Sequence, residues 1–142
     1  MIAREQRFLA FLEAPSKEES FAFYRKIVVQ DYPAFVALYG ELVAGWCDVL
    51  PLSGGARAHI GTLGIGLVPE ARQLGLGAQL LAACIDKARS RGITRIELTV
   101  RADNHNARAL YQRFGFCVEA TQVRGFRIAD AYVDCHSMAL LL

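Results

Sequence analysis

The order of apolar and polar positions along the chain predicts two short helices at its beginning. Apolar residues recur at helical spacing from Arg4 to Leu12, and Pro15 ends this first predicted helix. The stretch Ser16-Lys17-Glu18-Glu19 has the form of a capping box, in which a serine and a glutamate each satisfy a backbone N–H group of the other. It predicts a second helix that runs to about Val28.

The next part of the chain has the pattern of strands. Phe35 to Tyr39 and Val43 to Leu50 form a predicted hairpin around the tight turn Gly40-Glu41. After a loop at residues 51–55, another predicted strand runs from about His59 to Val68 and stops at Pro69.

The second half predicts a β-α-β crossover, a further helix and a closing hairpin. Its predicted elements are a helix from about Leu76 to Arg91 closed by Gly92, a strand from Ile96 to Val100, a helix from Asn104 to Phe114 closed by Gly115, and strands from Phe116 to about Arg127 and from Tyr132 to Leu142. No repeat or linker divides the chain, so we expect one domain over residues 1–142. The predicted fold class is α/β, a mixed sheet with helices on its faces.

Composition excludes several classes of function. The chain has 142 residues, of which 54% are apolar and 21% charged, and this suits a globular domain with its own core. A net charge of +2 without a dense basic tract argues against a nucleic-acid partner. The opening lacks the form of a signal peptide and the apolar runs are shorter than the ~20 residues of a membrane helix, so we expect no membrane partner and a cytoplasmic location. The four cysteines never form a C-x-x-C pair, so we expect reduced thiols and no metal.

The stretch from Leu67 to Ala78 carries the first chemical signal. A strand leads through a loop directly into a helix, and Gly75 and Gly77 lack side chains where a ligand would approach the backbone. The N–H groups of residues 73–78 and the helix dipole form an anion site, to which Arg72 adds a positive charge. The predicted ligand is a pyrophosphate.

A dinucleotide-binding loop is the competing interpretation of these glycines. Gly75-x-Gly77 matches the first part of G-x-G-x-x-G, and Glu97 lies about twenty residues further on, where a ribose-binding acid is expected. Leu80, however, occupies the position of the third glycine, and too few residues follow Val100 for the remaining parallel strands. We therefore reject this interpretation.

The second signal is the stretch from Asn104 to Phe116. Asn104 suits a helix N-cap, and Tyr111 follows it by about two turns, so both side chains lie on one face. A tyrosine at such a place is by itself more often a half-buried packing residue than a catalyst.

Together these two stretches resemble the GNAT superfamily of N-acetyltransferases. Arg72-x-x-Gly75-x-Gly77-Ala78 matches its acyl-CoA pyrophosphate loop, and Asn104 to Phe116 matches its N-x-x-A-x-x-L-Y-x-x-x-G-F pattern. The two motifs have the order and separation of the family, and the resemblance covers about residues 42–142. Arg95 to Val100 and the ending Tyr132-Val133-Asp134 with Met138-Ala139 are similar to a bacterial branch that acetylates amino acids and related small amines.

The resemblance implies a GNAT-like fold, acetyl-CoA as the acetyl donor, and a role for each matched residue. Ile65, Gly66 and Leu67 would bind the pantetheine amides through their backbone, Arg72, Gln73, Leu74, Gly75, Leu76, Gly77 and Ala78 would hold the pyrophosphate, and Asn104 would contact the pantetheine arm. Tyr111 would be the general acid that protonates the departing CoA thiolate.

The general base stays open. Some members of the superfamily use a glutamate on the strand before the loop, but His59 to Val68 contains no carboxylate. The candidates are Asp48, His59, Glu97 and Asp134, and a proton path through water is the further alternative. Each of three candidates also has a non-catalytic interpretation. His59 would be a solvated residue at a strand end, Glu97 would form an ion pair with Arg95 or Arg101, and Asp48 would face outward into solvent.

The resemblance also implies an edge strand before the first helix, whereas this chain begins at that helix. Either the natural start lies upstream of Met1 or this edge strand is missing, and in the second case we expect the strand Phe35 to Tyr39 to leave an edge that pairs in a homodimer.

The predicted function is acetyl transfer to the primary amine of a small molecule or an amino acid. The alternatives are a protein or peptide N-terminus as the acceptor, and a non-catalytic acyl-CoA-binding module.

Overall fold

In the computed structural model, which describes residues 15–142, six strands form one mixed sheet. The strands are β1 (Ala34–Tyr39), β2 (Leu42–Pro51), β3 (Ile60–Leu67), β4 (Arg95–Arg101), β5 (Cys117–Ile128) and β6 (Ala131–Leu141). The helices are α1 (Lys17–Val29), α2 (Leu76–Ser90) and α3 (His105–Arg113), with short 3-10 turns at Gly55–Arg57 and Pro69–Ala71. The first predicted helix, and the question of an edge strand ahead of it, lie outside the described residues.

The strands follow the order β1-β2-β3-β4-β6-β5 across the sheet. β3 and β4 are parallel, and α2 crosses between them, whereas the other neighbouring pairs are antiparallel. β5 and β6 form the hairpin that closes the sheet. These features confirm the predicted α/β class, with its mixed sheet, its β-α-β crossover and its closing hairpin.

The ends of the helices follow from local sequence signals. The Ser16 Oγ accepts the Glu19 N–H at 3.1 Å, and the Glu19 carboxylate accepts the Ser16 N–H at 2.9 Å, so α1 begins with the predicted capping box. Gly92 and Gly115 have φ values of 79° and 92° directly after the ends of α2 and α3. Only glycine adopts this left-handed conformation readily, which explains why both helices end there.

The core lies between the sheet and α2, which contacts β1, β2 and β3. Its fully buried side chains include Leu81, Val49, Ile96 and Met138. The four cysteines are free, and three of them are buried as small apolar side chains. No helix in residues 15–142 is both long enough and apolar enough to cross a lipid bilayer.

Candidate active site

The parallel strands β3 and β4 separate after a short pairing. Their register covers Ile60 to Thr62 of β3 against Arg95 to Glu97 of β4 and extends no further along the described strands. On its other side, β3 stays paired with β2 as far as Leu67. The edge of β3 that faces β4 therefore carries backbone N–H and C=O groups that no described strand satisfies.

The alternation of the backbone decides which residues of β3 use this open edge. The Val68 N–H donates to the Ala44 carbonyl at the start of β2 at 2.8 Å. The backbone of the preceding Leu67 therefore faces away from β2, as does that of Ile65, whereas the backbone of Gly66 faces β2. Of the three residues predicted to bind the pantetheine amides, Ile65 and Leu67 present their backbone groups to the open edge.

The loop after β3 reaches α2 through two residues in the left-handed conformation. Gln73 has a φ of 62° and Gly75 a φ of 78°, and Gly75 is the N-cap residue of α2. No side chain of the described residues caps this helix start, so its first N–H groups are left for a ligand. The helix dipole favours an anion there. These features suit a pyrophosphate.

Gly77 differs from Gly75 in its role. A Cβ atom added to Gly75 would meet nothing within 4 Å, whereas one added to Gly77 would lie 3.3 Å from Leu67 Cδ1 and 3.4 Å from Leu110 Cδ2. From the sequence, both glycines were expected to clear space for a ligand. In the structure, the missing side chain of Gly77 allows α2 to pack closely against β3 and α3.

The Arg72 side chain turns back towards β3. Its Nε and Nη2 atoms donate to the Leu67 carbonyl at 3.1 Å and 3.0 Å. A positive charge therefore lies where the open edge of β3 meets the loop. Arg72 connects the predicted pantetheine edge to the predicted pyrophosphate loop.

Asn104 and Tyr111 lie at the start and near the end of α3. The Asn104 Oδ1 accepts the Ala107 N–H at 3.2 Å, which confirms the predicted N-cap and leaves the side-chain NH2 group as a donor. Tyr111 is only 7% exposed. Burial, and secondarily the nearby Cys47, raise the pKa of Tyr111, so the phenol stays protonated at neutral pH. Tyr111 belongs to the same buried cluster as Cys47, the register partner of Ile65, and Ile65 and Leu67 of β3 pack against that cluster.

Three of the four candidate bases have other roles or lie apart from the loop. His59 is exposed just before β3, at the end of that strand remote from the loop. Glu97 forms an ion pair with Arg95 at 3.5 Å, which is the non-catalytic role expected for it. Asp134 accepts the Arg124 N–H at 2.8 Å in the irregular part of the β5–β6 hairpin.

Asp48 is the fourth candidate, and its environment differs from the outward-facing one expected. It is 6% exposed, and it lies on β2 directly opposite Gly64 of β3. Its Oδ1 would be 3.2 Å from a Cβ atom added to Gly64. Burial raises the pKa of Asp48 to about 6, although a hydrogen bond from the Trp46 side chain lowers it.

Trp46 is a residue of the site that was not predicted from the sequence. It precedes Asp48 by two positions, so both side chains lie on the same face of β2. A Cβ atom added to Gly66 would collide with the Trp46 ring, which therefore lies over that glycine. The sequence does contain a signal, because Trp46 and Asp48 have strand spacing and so do Gly64 and Gly66. Only the β2–β3 register shows that the two pairs lie opposite each other.

An open strand edge that leads into an uncapped helix start suits a long ligand with amide groups and a pyrophosphate, which is the form of an acyl-coenzyme A. No group of three or more His, Cys, Asp or Glu side chains within residues 15–142 is arranged to hold a metal ion. The fold is that of the acetyltransferase class. The chain belongs to the GNAT acetyltransferase family, whose model matches residues 2–116. This match confirms the resemblance inferred from the two motifs.

Similar proteins come from several bacteria. Mycothiol acetyltransferase of Paenarthrobacter aurescens is 41% identical over 78 residues, which make up 54% of this chain and 24% of that protein. The chain thus spans about a quarter of the length of that relative. The ribosomal-protein-S18-alanine N-acetyltransferase of Escherichia coli is 30% identical, with a TM-score of 0.75 over 96% of this chain and 82% of that chain. The yncA protein of Salmonella typhimurium, solved with its cofactor acetyl-CoA, is 21% identical and shares the fold, with a TM-score of 0.89 over 96% of this chain and 79% of that chain.

Proposed function

We propose that this protein is an N-acetyltransferase that moves the acetyl group of acetyl-CoA to the primary amine of a small molecule or an amino acid. The observation that carries the proposal is the open edge of β3, from which the chain passes through the loop into the uncapped start of α2. Acetyl-CoA supplies the activated thioester carbonyl, and the chain supplies binding groups and a proton.

The donor would be held along the open edge and the loop. The backbone groups of Ile65 and the N–H group of Leu67, whose carbonyl already accepts from Arg72, would bind the pantetheine amides, and the Asn104 NH2 group would bind the pantetheine arm. The N–H groups of the Arg72–Ala78 loop would bind the pyrophosphate, because they are uncapped and lie at the positive end of the α2 dipole. Fixing the donor in this way places its thioester beside Tyr111 and reduces the entropy lost in the reaction.

Tyr111 would act as the general acid. Its raised pKa keeps the phenol protonated until a thiolate forms next to it, and a positioned phenol can then transfer its proton to the sulfur. A neutral buried tyrosine beside the donor edge also favours an enzyme over a non-catalytic acyl-CoA-binding module.

A peptide N-terminus is the second candidate acceptor. The E. coli relative that matches most of this chain bears the name of a ribosomal-protein-alanine N-acetyltransferase. A test should therefore include peptides with a free terminal alanine beside free amino acids and small amines. Release of CoA would be measured for each acceptor. Acetyl-CoA binding without CoA release from any acceptor would support the non-catalytic alternative.

Tyr111→Phe tests the proposed acid. The substitution keeps the ring and its packing, so we expect an unchanged melting temperature and acetyl-CoA affinity, and a fall in kcat of about 10²–10⁴-fold where chemistry limits turnover. A kcat within a few-fold of the wild type would remove Tyr111 from the mechanism. A lower melting temperature together with lower activity would indicate a packing role instead.

A further inference from the structure

The carboxyl group of Asp48 is buried, and no cation among residues 15–142 pairs with it. No Lys, Arg or His side chain of the described residues forms an ion pair with it, although eight other ion pairs connect described residues closer than 4 Å. A buried carboxylate without a positive partner is unfavourable, because it has lost its hydration. An ammonium group from outside the chain would provide that partner.

An apolar cavity of about 340 Å³ is lined in part by Tyr24 and Trp46, the two aromatic residues that interact with Asp48. Its lining residues are Tyr24 of α1, Val36 of β1, and Val43, Gly45 and Trp46 of β2. None of these side chains carries a charge at neutral pH, and two of them are aromatic. The cavity therefore suits an apolar group of modest size.

Asp48 and Trp46 lie next to the open edge of β3. Asp48 covers Gly64, two residues beyond the last β3–β4 pair, and Trp46 covers Gly66. Leu67, in contrast, points towards Gly77 of α2 on the opposite face of the sheet. The cavity and the helix that receives the donor thus lie on opposite faces, with the open edge between them.

We propose that Asp48 and this cavity form the acceptor subsite, which binds the ammonium group of a primary amine that carries one apolar group. This inference rests on the proposed acetyltransferase function and assigns its general base. Ionised Asp48 takes one proton from the ammonium, which frees the nitrogen lone pair to attack the thioester carbonyl carbon. The C–N bond forms, the C–S bond breaks with its electron pair on sulfur, and Tyr111 gives the sulfur a proton. The nitrogen loses its second proton to solvent, solvent returns a proton to Tyr111, and Asp48 releases the proton that it took to solvent, so that one proton is released per turnover.

The first test observes Asp48 directly and needs no substrate. Trp46 is the single tryptophan of the chain, and its side chain donates a hydrogen bond to Asp48, so its fluorescence should follow the charge of that carboxyl. We expect a fluorescence transition with a midpoint near pH 6 in the wild type and none in Asp48→Asn. Among the described residues, the groups that interact electrostatically with Asp48 are Tyr24 and Cys47, and the pKa of each is raised away from this range, that of Tyr24 by burial and that of Cys47 by a hydrogen bond to Cys84 and by burial.

The second test is the pH dependence of kcat/KM with 2-phenylethylamine, whose ring suits the cavity, and with ethanolamine, which has no apolar group. The wild type should prefer 2-phenylethylamine and should show a flat profile between pH 7 and 9, because Asp48 is ionised and the amine is still protonated there. Asp48→Asn should lose about 10²-fold or more in kcat/KM at pH 7. Its profile should then rise about tenfold per pH unit, because only the unprotonated amine reacts.

Controls separate this inference from the proposed function. Asp86→Asn changes an exposed carboxylate of α2 and should behave as the wild type in both tests. Acetyl-CoA should raise the melting temperature of all three proteins equally, since Asp48 does not bind the donor. A fluorescence transition that persists in Asp48→Asn, an unchanged pH profile, or an equal preference for both amines would overturn the subsite. No CoA release from any amine by the wild type would instead contradict the proposed function, and the fluorescence test would still decide whether Asp48 titrates as described.

Discussion

Gly75 and Gly92 offer a matched pair of substitutions at the two ends of α2. Both residues have left-handed backbones, with φ values of 78° and 79°, and a Cβ atom added to either would meet nothing within 4 Å. An alanine at either position should therefore cost about 1–2 kcal/mol of stability, because the Cβ atom disfavours this conformation. For a domain of this size the melting temperature should fall by about 2–8 °C in both variants.

The two variants should differ in their affinity for acetyl-CoA. Gly75 lies at the uncapped start of α2, where the loop is proposed to bind the pyrophosphate, whereas Gly92 lies at the opposite end. A methyl group on Gly75 would stand between the ligand and at least one backbone N–H group. A hydrogen bond to a charged group contributes about 1.5–3 kcal/mol, so Gly75→Ala should weaken binding by roughly 10- to 100-fold. Gly92→Ala should bind as the wild type does.

Isothermal titration of acetyl-CoA into the wild type and both variants measures this difference, and thermal denaturation of the same samples measures the common loss of stability. Equal affinities in Gly75→Ala and Gly92→Ala would refute the proposed pyrophosphate position. Unequal losses of stability would show that the two substitutions strain the backbone to different degrees. Gly92→Ala would then no longer serve as a matched control for Gly75→Ala.

Three further predictions follow from other parts of the structure. Gly77→Val should lower the free energy of unfolding, measured in urea, by about 1–3 kcal/mol, because the valine side chain would crowd Leu67 and Leu110. An unchanged free energy of unfolding would contradict the packing role of Gly77. The pKa of Asp48 is raised from 3.8 to about 6 on folding, so the wild type should lose stability relative to Asp48→Asn as the pH rises from 4.5 to 7.5, by at most about 2 kcal/mol in urea denaturation. If the free energies of unfolding of the two proteins changed in parallel with pH, the raised pKa would be excluded. β1 is the terminal strand of the sheet within residues 15–142, and we still expect its edge to pair in a homodimer, which a monomer seen by light scattering at high micromolar concentration would contradict.

The sequence by itself determined the elements and the two binding motifs. The capping box before α1, the N-cap Asn104, and Gly92 and Gly115 after α2 and α3 set helix ends that the structure confirms within a few residues. These signals could be read because they act over one helical turn: a side chain or a glycine satisfies or releases backbone groups only three or four residues away. The loop Arg72–Ala78 and the stretch Asn104–Phe116 were likewise continuous in sequence.

The tertiary structure decided what each residue of the site faces. The register of β2 and β3 turns Ile65 and Leu67 towards the open edge, turns Gly66 away, and places Asp48 over Gly64. None of this could be predicted from spacing, because a shift of the register by one residue would exchange the faces of every side chain on the strand. Asp48 was therefore expected to face outward, and Gly77 was expected to make room for a ligand. Burial and close packing arise from contacts between residues distant in the chain, and only the folded sheet brings those residues together.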